Sequence, residues 1–222
     1  MTVLHLADEG EAADLAAFLS RLLHYDRGAA VRLQAAGTAL AVFGRPPSFE
    51  VLAIRAVRLA KPYENGLDVT LDVTVSAGEL LESVDESAAT AVVPDAVTGP
   101  PWAGVLPPRG GWRPVPGLPA PDALRAMIGS GVAEFRSRTQ ELAEERRTRA
   151  ELDRIGREIW SRTVGDTHLP VRAVHAAQSL GFLRATGVWA LRPAGAGLRR
   201  RPPYGSIAVR RAGLGALDVS VR

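Results

Sequence analysis

The chain has 222 residues and is 46% apolar, enough to bury a sizeable core and to argue against disorder. Cysteine is absent, which excludes disulfides, thiolate metal sites and thiol catalysis in this chain and makes a reducing cytoplasm the expected location. The net charge of +3 is unevenly placed: residues 1–120 hold 9 basic and 14 acidic side chains, whereas residues 121–222 hold 18 and 10.

Lys61 is the only lysine, so arginine usage reflects composition rather than phosphate recognition, and position carries the information. From Asp166 to Arg222 nine arginines face only Asp166 and Asp218. No run of eighteen apolar residues occurs, so no membrane span is expected. Met1 to Glu11, with Asp8, Glu9 and Glu11, lacks the basic start and apolar stretch of a secretory signal, and no export is expected.

In chain order, Thr2 to Leu6 alternates as a strand, and Asp8 with Glu11 forms a capping box that opens a helix running to about Tyr25. Ala30–Gln34 and Ala39–Phe43 read as a hairpin around Ala36-Gly37-Thr38. Phe49–Leu59 and Leu67–Val75 are expected to pair next, through a turn at Glu64-Asn65-Gly66. Ser76 and Glu79 form a second capping box for a short helix, giving an order of β-α-β-β-β-β-α.

Residues 94–121 contain nine prolines together with Trp102 and Trp112, a composition that opposes helix and central strand. The two rings are expected to pin this connector onto a domain surface. From Asp122 to Val164 the apolar period is helical, and an unbroken helix of about forty residues would reach roughly 60 Å. Such an arm invites homodimerisation through paired helices. Gly129-Ser130-Gly131 is a candidate kink.

Pro170 fits the first turn of a helix whose inward face is Ala173, Ala176, Ala177 and Leu180, stopped at Gly181. Val188–Leu191 and Tyr204–Val209 then read as a hairpin with Arg199, Arg200 and Arg201 at its tip, and Leu217–Val221 as a last strand.

The expected architecture is thus α+β: an N-terminal antiparallel β-sheet domain with flanking helices over residues 1–93, a Pro-rich connector over 94–121, and a long helical arm leading to a small basic C-terminal α+β domain over 122–222. The order of helices and hairpin in that last part resembles a winged helix-turn-helix arrangement. On that resemblance Arg172, His175 and Ser179 face outward from the second helix, Arg199, Arg200 and Arg201 touch phosphates, and Arg184, Arg192, Arg210 and Arg211 extend the footprint.

Catalytic signatures are absent: Gly129-Ser130-Gly131 lacks the full nucleophile elbow, Gly195-Ala196-Gly197 lacks a dinucleotide fingerprint, and no P-loop occurs. His5, His24, His168 and His175 are dispersed, so neither metal nor cofactor is expected. The expectation is a non-catalytic binding or regulatory protein that takes nucleic acid through its basic end. The alternatives are a protein-interaction scaffold with an acidic N-terminal and a basic C-terminal half, or a small-ligand module using the Trp102/Trp112 loop.

Overall fold

The computed structural model describes residues 2–36, 38–60, 71–102, 106, 118–183, 191–192, 205–210 and 217–221. Asp8 opens the first helix as its composition predicts: the Glu11 N–H donates to Asp8 Oδ1 at 2.8 Å, and α1 (Glu9–Tyr25) follows. Its face of Leu15, Phe18, Leu19 and Leu22 is almost wholly removed from water, each side chain contributing about 1.5–3 kcal/mol of transfer free energy. Short β1 (Val3–His5) precedes it and pairs with β6 (Thr90–Val92) in a separate two-stranded sheet.

The main sheet is built from β2 (Ala30–Ala36), β3 (Ala39–Gly44), β4 (Leu52–Arg58), β5 (Leu71–Ser76), β7 (Leu191–Arg192), β8 (Ser206–Arg210) and β9 (Leu217–Val221), in the order β5-β2-β3-β4-β8-β9-β7 and antiparallel throughout. The β2–β3 hairpin forms as its sequence indicates. β4 and β5 do not pair. β5 crosses to the far edge and joins β2, with Val31 opposite Val75, while β4 pairs with β3 on one side and β8 on the other. A turn signal specifies that a chain reverses but not which strand receives it; residues 61–70, which hold the Glu64-Asn65-Gly66 turn, lie outside the described residues.

Period-2 alternation gives the sheet two unlike faces. The front carries Val31, Leu33, Leu40, Val42, Val57, Val75, Ile207 and Val209 beneath α1, the short α2 (Ala77–Glu82) and the C-terminal helices. The back carries Phe43, Leu52 and Ala208 with Ile54 and Ala41, and Trp102, 6% exposed, lies on them. The proline-rich strap is held there by backbone, since the Val97 N–H donates to Thr74 O at 2.9 Å. Trp102 therefore packs the connector onto the sheet, as its ring predicts; Trp112 lies outside the described residues.

The expected long helical arm is broken in two. α3 (Pro121–Gln140) and α4 (Arg149–Trp160) fold back on each other around residues 141–148. The Arg147 guanidinium donates to Gln140 O and Leu142 O, both at 3.0 Å, capping the end of α3, and Thr148 accepts from the Glu151 N–H to start α4. Arg138 grips Glu158 with two bonds of 2.9 Å, and Arg162 grips Glu134 at 2.5 and 2.7 Å. The polar stretch that reads as a solvent-crossing arm is the turn of a helical hairpin. The unbroken helix on which a homodimer was expected is therefore not formed. Gly131 does not kink α3: it faces Trp160, and a Cβ there would stand 3.0 Å from that ring.

Pro170 caps α5 (Val171–Ser179), whose Ala173, Ala176, Ala177 and Leu180 are buried as predicted. Gly181, at φ +76°, closes it, with the Phe182 N–H donating to Ala177 O at 2.8 Å. β7 and β8 do not form the predicted hairpin, because β9 lies between them. Among the described residues the winged-helix-like arrangement is accordingly not formed: β8 extends the N-terminal sheet by pairing Leu52 with Ala208, and residues from both halves share one core.

Candidate ligand cavity

α5 lies on the front of the sheet beside α1, where Phe18 and Phe182 stack with ring centroids 5.6 Å apart. At the C-terminal end of α1 a cavity of about 580 Å³ lies between Tyr25 with the 47–50 segment and the helices α3, α4 and α5. One wall is Tyr25 and the 3-10 turn Pro47–Phe49; the other is Phe135 of α3, Leu152, Gly156 and Trp160 of α4, and Arg172 and His175 of α5. That volume lies within the range of small-molecule sites.

Four rings run through it in sequence. Tyr25 meets Phe49 edge-on at 5.1 Å, Phe49 meets His175 edge-on at 5.1 Å, and His175 lies tilted against Trp160 at 4.6 Å. Gly131 lets Trp160 sit against α3, whereas a Cβ at Gly156 would make only ordinary contact with Phe135, at 3.7 Å. Burial among these groups pushes the His175 imidazole below its ordinary pKa, because desolvation penalises the charged form.

Four charged residues also line the cavity: Glu50, Asp153 and Arg157 are exposed, and Arg172 is half-buried. The Arg172 Nε–H is buried with no hydrogen-bond partner, and its Nη2 lies 3.7 Å from a Glu50 carboxylate whose side chain is 74% exposed. An ion pair of that kind contributes at most about 1 kcal/mol. Glu50 itself ends the 3-10 turn in the left-handed region at φ 52°, a conformation that costs a non-glycine residue roughly 1 kcal/mol or more.

Arg172 and His175, singled out from the sequence as nucleic-acid contacts, are placed in the wall of this cavity. They do not face outward as a groove-reading pair: α5 is packed against β8, α3, α4 and the 47–49 turn, and both side chains are half-buried in the cavity wall, with Ser179 also half-buried. Arg192 and Arg210 fall on β7 and β8, with only their backbone described. Arg184, Arg199, Arg200, Arg201 and Arg211 lie outside the described residues. The Trp102/Trp112 loop does not line the cavity, because Trp102 is on the opposite face of the sheet. Tyr25, Phe49 and Trp160 were missed, since rings 24 and 111 residues apart along the chain leave no local pattern. Among the described residues no group of three or more His, Asp or Glu side chains is placed to hold a metal ion. None of their helices is long and apolar enough to cross a membrane.

Residues 1–104 match the domain of unknown function DUF8010, and residues 107–214 match the domain of unknown function DUF8185. No curated protein and no solved structure is significantly similar to the chain. The two matches meet within the proline-rich stretch, and the cavity takes one wall from each.

Proposed function

We propose that the protein is a non-catalytic binding protein whose ligand is a small, largely aromatic molecule held in the cavity between α1 and the α3–α4–α5 unit. The cavity itself carries this reading: about 580 Å³ lined by Tyr25, Phe49, Phe135, Trp160 and His175, with Glu50, Asp153 and Arg157 exposed and Arg172 half-buried in the wall. Apolar walls with few polar groups are the usual composition of small-ligand sites. A cysteine-free chain without a membrane-spanning helix among its described residues fits a cytoplasmic setting.

A panel of small aromatic fragments followed by NMR tests the proposal. Shifts converging on the Trp160 indole N–H and the His175 ring are expected; fragments that leave both unmoved would sink the idea.

Nucleic-acid binding is a second reading, and it rests on the nine arginines between Asp166 and Arg222. Fluorescence anisotropy of labelled duplex DNA and single-stranded RNA tests it. Binding that weakens with salt and in an Arg199→Ala/Arg200→Ala/Arg201→Ala variant is expected, and no binding at low salt removes it.

A further inference from the structure

Taking the cavity as a ligand site, an inference that rests on the reading above, we infer that the occupant is an aromatic carboxylate whose anionic group pairs with Arg172 while its ring lies along Phe49 and Trp160. A guanidinium this close to a core normally has its charge met by carboxylates. Here the Nε–H is buried without an acceptor, and the facing carboxylate is distant and solvated. That Nε is closed to solvent, but the side chain is 26% exposed, and its two Nη groups form a fork that can take a carboxylate through two parallel bonds.

The position adds to the case. Arg172 lies in the first turn of α5, where no acidic residue sits and the N-cap, Pro170, makes no side-chain cap bond. A cation there opposes the helix dipole, and an incoming anion satisfies both. The rim also limits the anion's charge. Arg157 and Arg172 are balanced by Glu50 and Asp153, so once Glu50 swings into solvent the opening carries a net charge of +1, which a monoanion neutralises and a dianionic phosphate exceeds. The aromatic walls select a planar body over a sugar or an aliphatic chain.

Calorimetric titration of the full chain with naphthoate and with its neutral amide, naphthamide, tests this, using Arg172→Gln and Arg172→Lys variants alongside. Naphthoate is expected to bind about tenfold or more tightly than naphthamide, the gain of a charge-assisted, two-bond contact. The preference should vanish in Arg172→Gln, persist in part in Arg172→Lys, and be accompanied by a shift of the Trp160 indole N–H. Amide binding should survive in both variants, which also reports that they fold. Equal affinities in the wild type, or a preference that outlasts Arg172→Gln, overturns the carboxylate assignment and leaves the cavity reading standing. Failure of both probes to bind overturns the cavity reading with it.

Discussion

Two arginines are drawn in from the surface, Arg55 fully and Arg172 by half, and their charges are met in different ways. Arg55 projects from the buried face of β4, where alternation calls for an apolar residue, and is 2% exposed. Its Nη2 is held by Asp14 at 3.0 Å and by Glu11 at 3.4 Å, and Glu11 also accepts from Arg58 Nε at 2.7 Å, so α1 is tied to β4 through charges. Among the described residues Arg172 faces one carboxylate, at 3.7 Å, with the cavity beside it. The charge of Arg55 is met by two carboxylates of α1, whereas that of Arg172 is met by one solvated carboxylate, and the proposed ligand site rests on this contrast.

The sharpest way to break the comparison is to remove a partner of Arg55. Glu11→Ala leaves a buried guanidinium with half its counter-charge and should cost about 3–5 kcal/mol in urea unfolding. A loss under 1 kcal/mol would show that Asp14 and the chain around it suffice. On the cavity side, Gly131→Val forces the Trp160 ring away from α3 and should cost about 1–3 kcal/mol, with a changed indole signal in the near-ultraviolet circular dichroism. Unchanged stability would mean that the helical hairpin adjusts freely.

Arg172→Met, in contrast to Glu11→Ala, should leave the melting temperature unchanged or raise it, because it removes a poorly matched cation from a helix N-terminus. A marked drop would show that Arg172 is structural after all, like Arg55.

The smallest effect is pH dependence. Burial holds the His175 pKa below the ordinary 6.5, so the folded chain stays neutral while the unfolded chain takes up a proton as pH falls below that value. Above pH 6.5 His175 makes no pH-dependent contribution; below it, stability should decline until the lowered pKa is reached. In His175→Gln that part of the slope should disappear from melting temperatures recorded across the mildly acidic range. A slope unaltered by the substitution would place its origin in the carboxylates, among them Glu134 and Glu158, whose pKa values are held down by arginine partners.

What could be read from the residues follows how locally each feature is encoded. The Asp8 cap, the Ser76 cap, the inward face of α5 and the stop at Gly181 depend on neighbours within a turn of chain, and all are found where expected. Strand partnership is not local: the β4–β5 turn signal gave way to pairing of β5 with β2, and the expected basic hairpin to insertion of β9. The break after Gln140 was masked because Glu144 to Glu151 has high helix propensity yet offers no apolar face to hold a continuous helix. The cavity was half legible. Arg172 and His175 stood out by type and spacing, but their inward orientation depends on the 47–49 turn and α4, which pattern alone could not bring to α5.

The pairing of β8 with β4 has a consequence for the order in which the protein is made. When a ribosome has delivered the first hundred residues, α1 and four strands of the main sheet exist, but β4 still offers an open backbone edge along Leu52–Ile54 and α1 lacks Phe182. That edge stays available to neighbouring nascent chains until residues 206–208 emerge. The wall bearing Trp160 and His175 is likewise made after the one bearing Tyr25 and Phe49, so the cavity cannot form before residue 175 has been added. On the proposed reading, a ligand that bridges the walls favours chains that carry both over those that carry only the first.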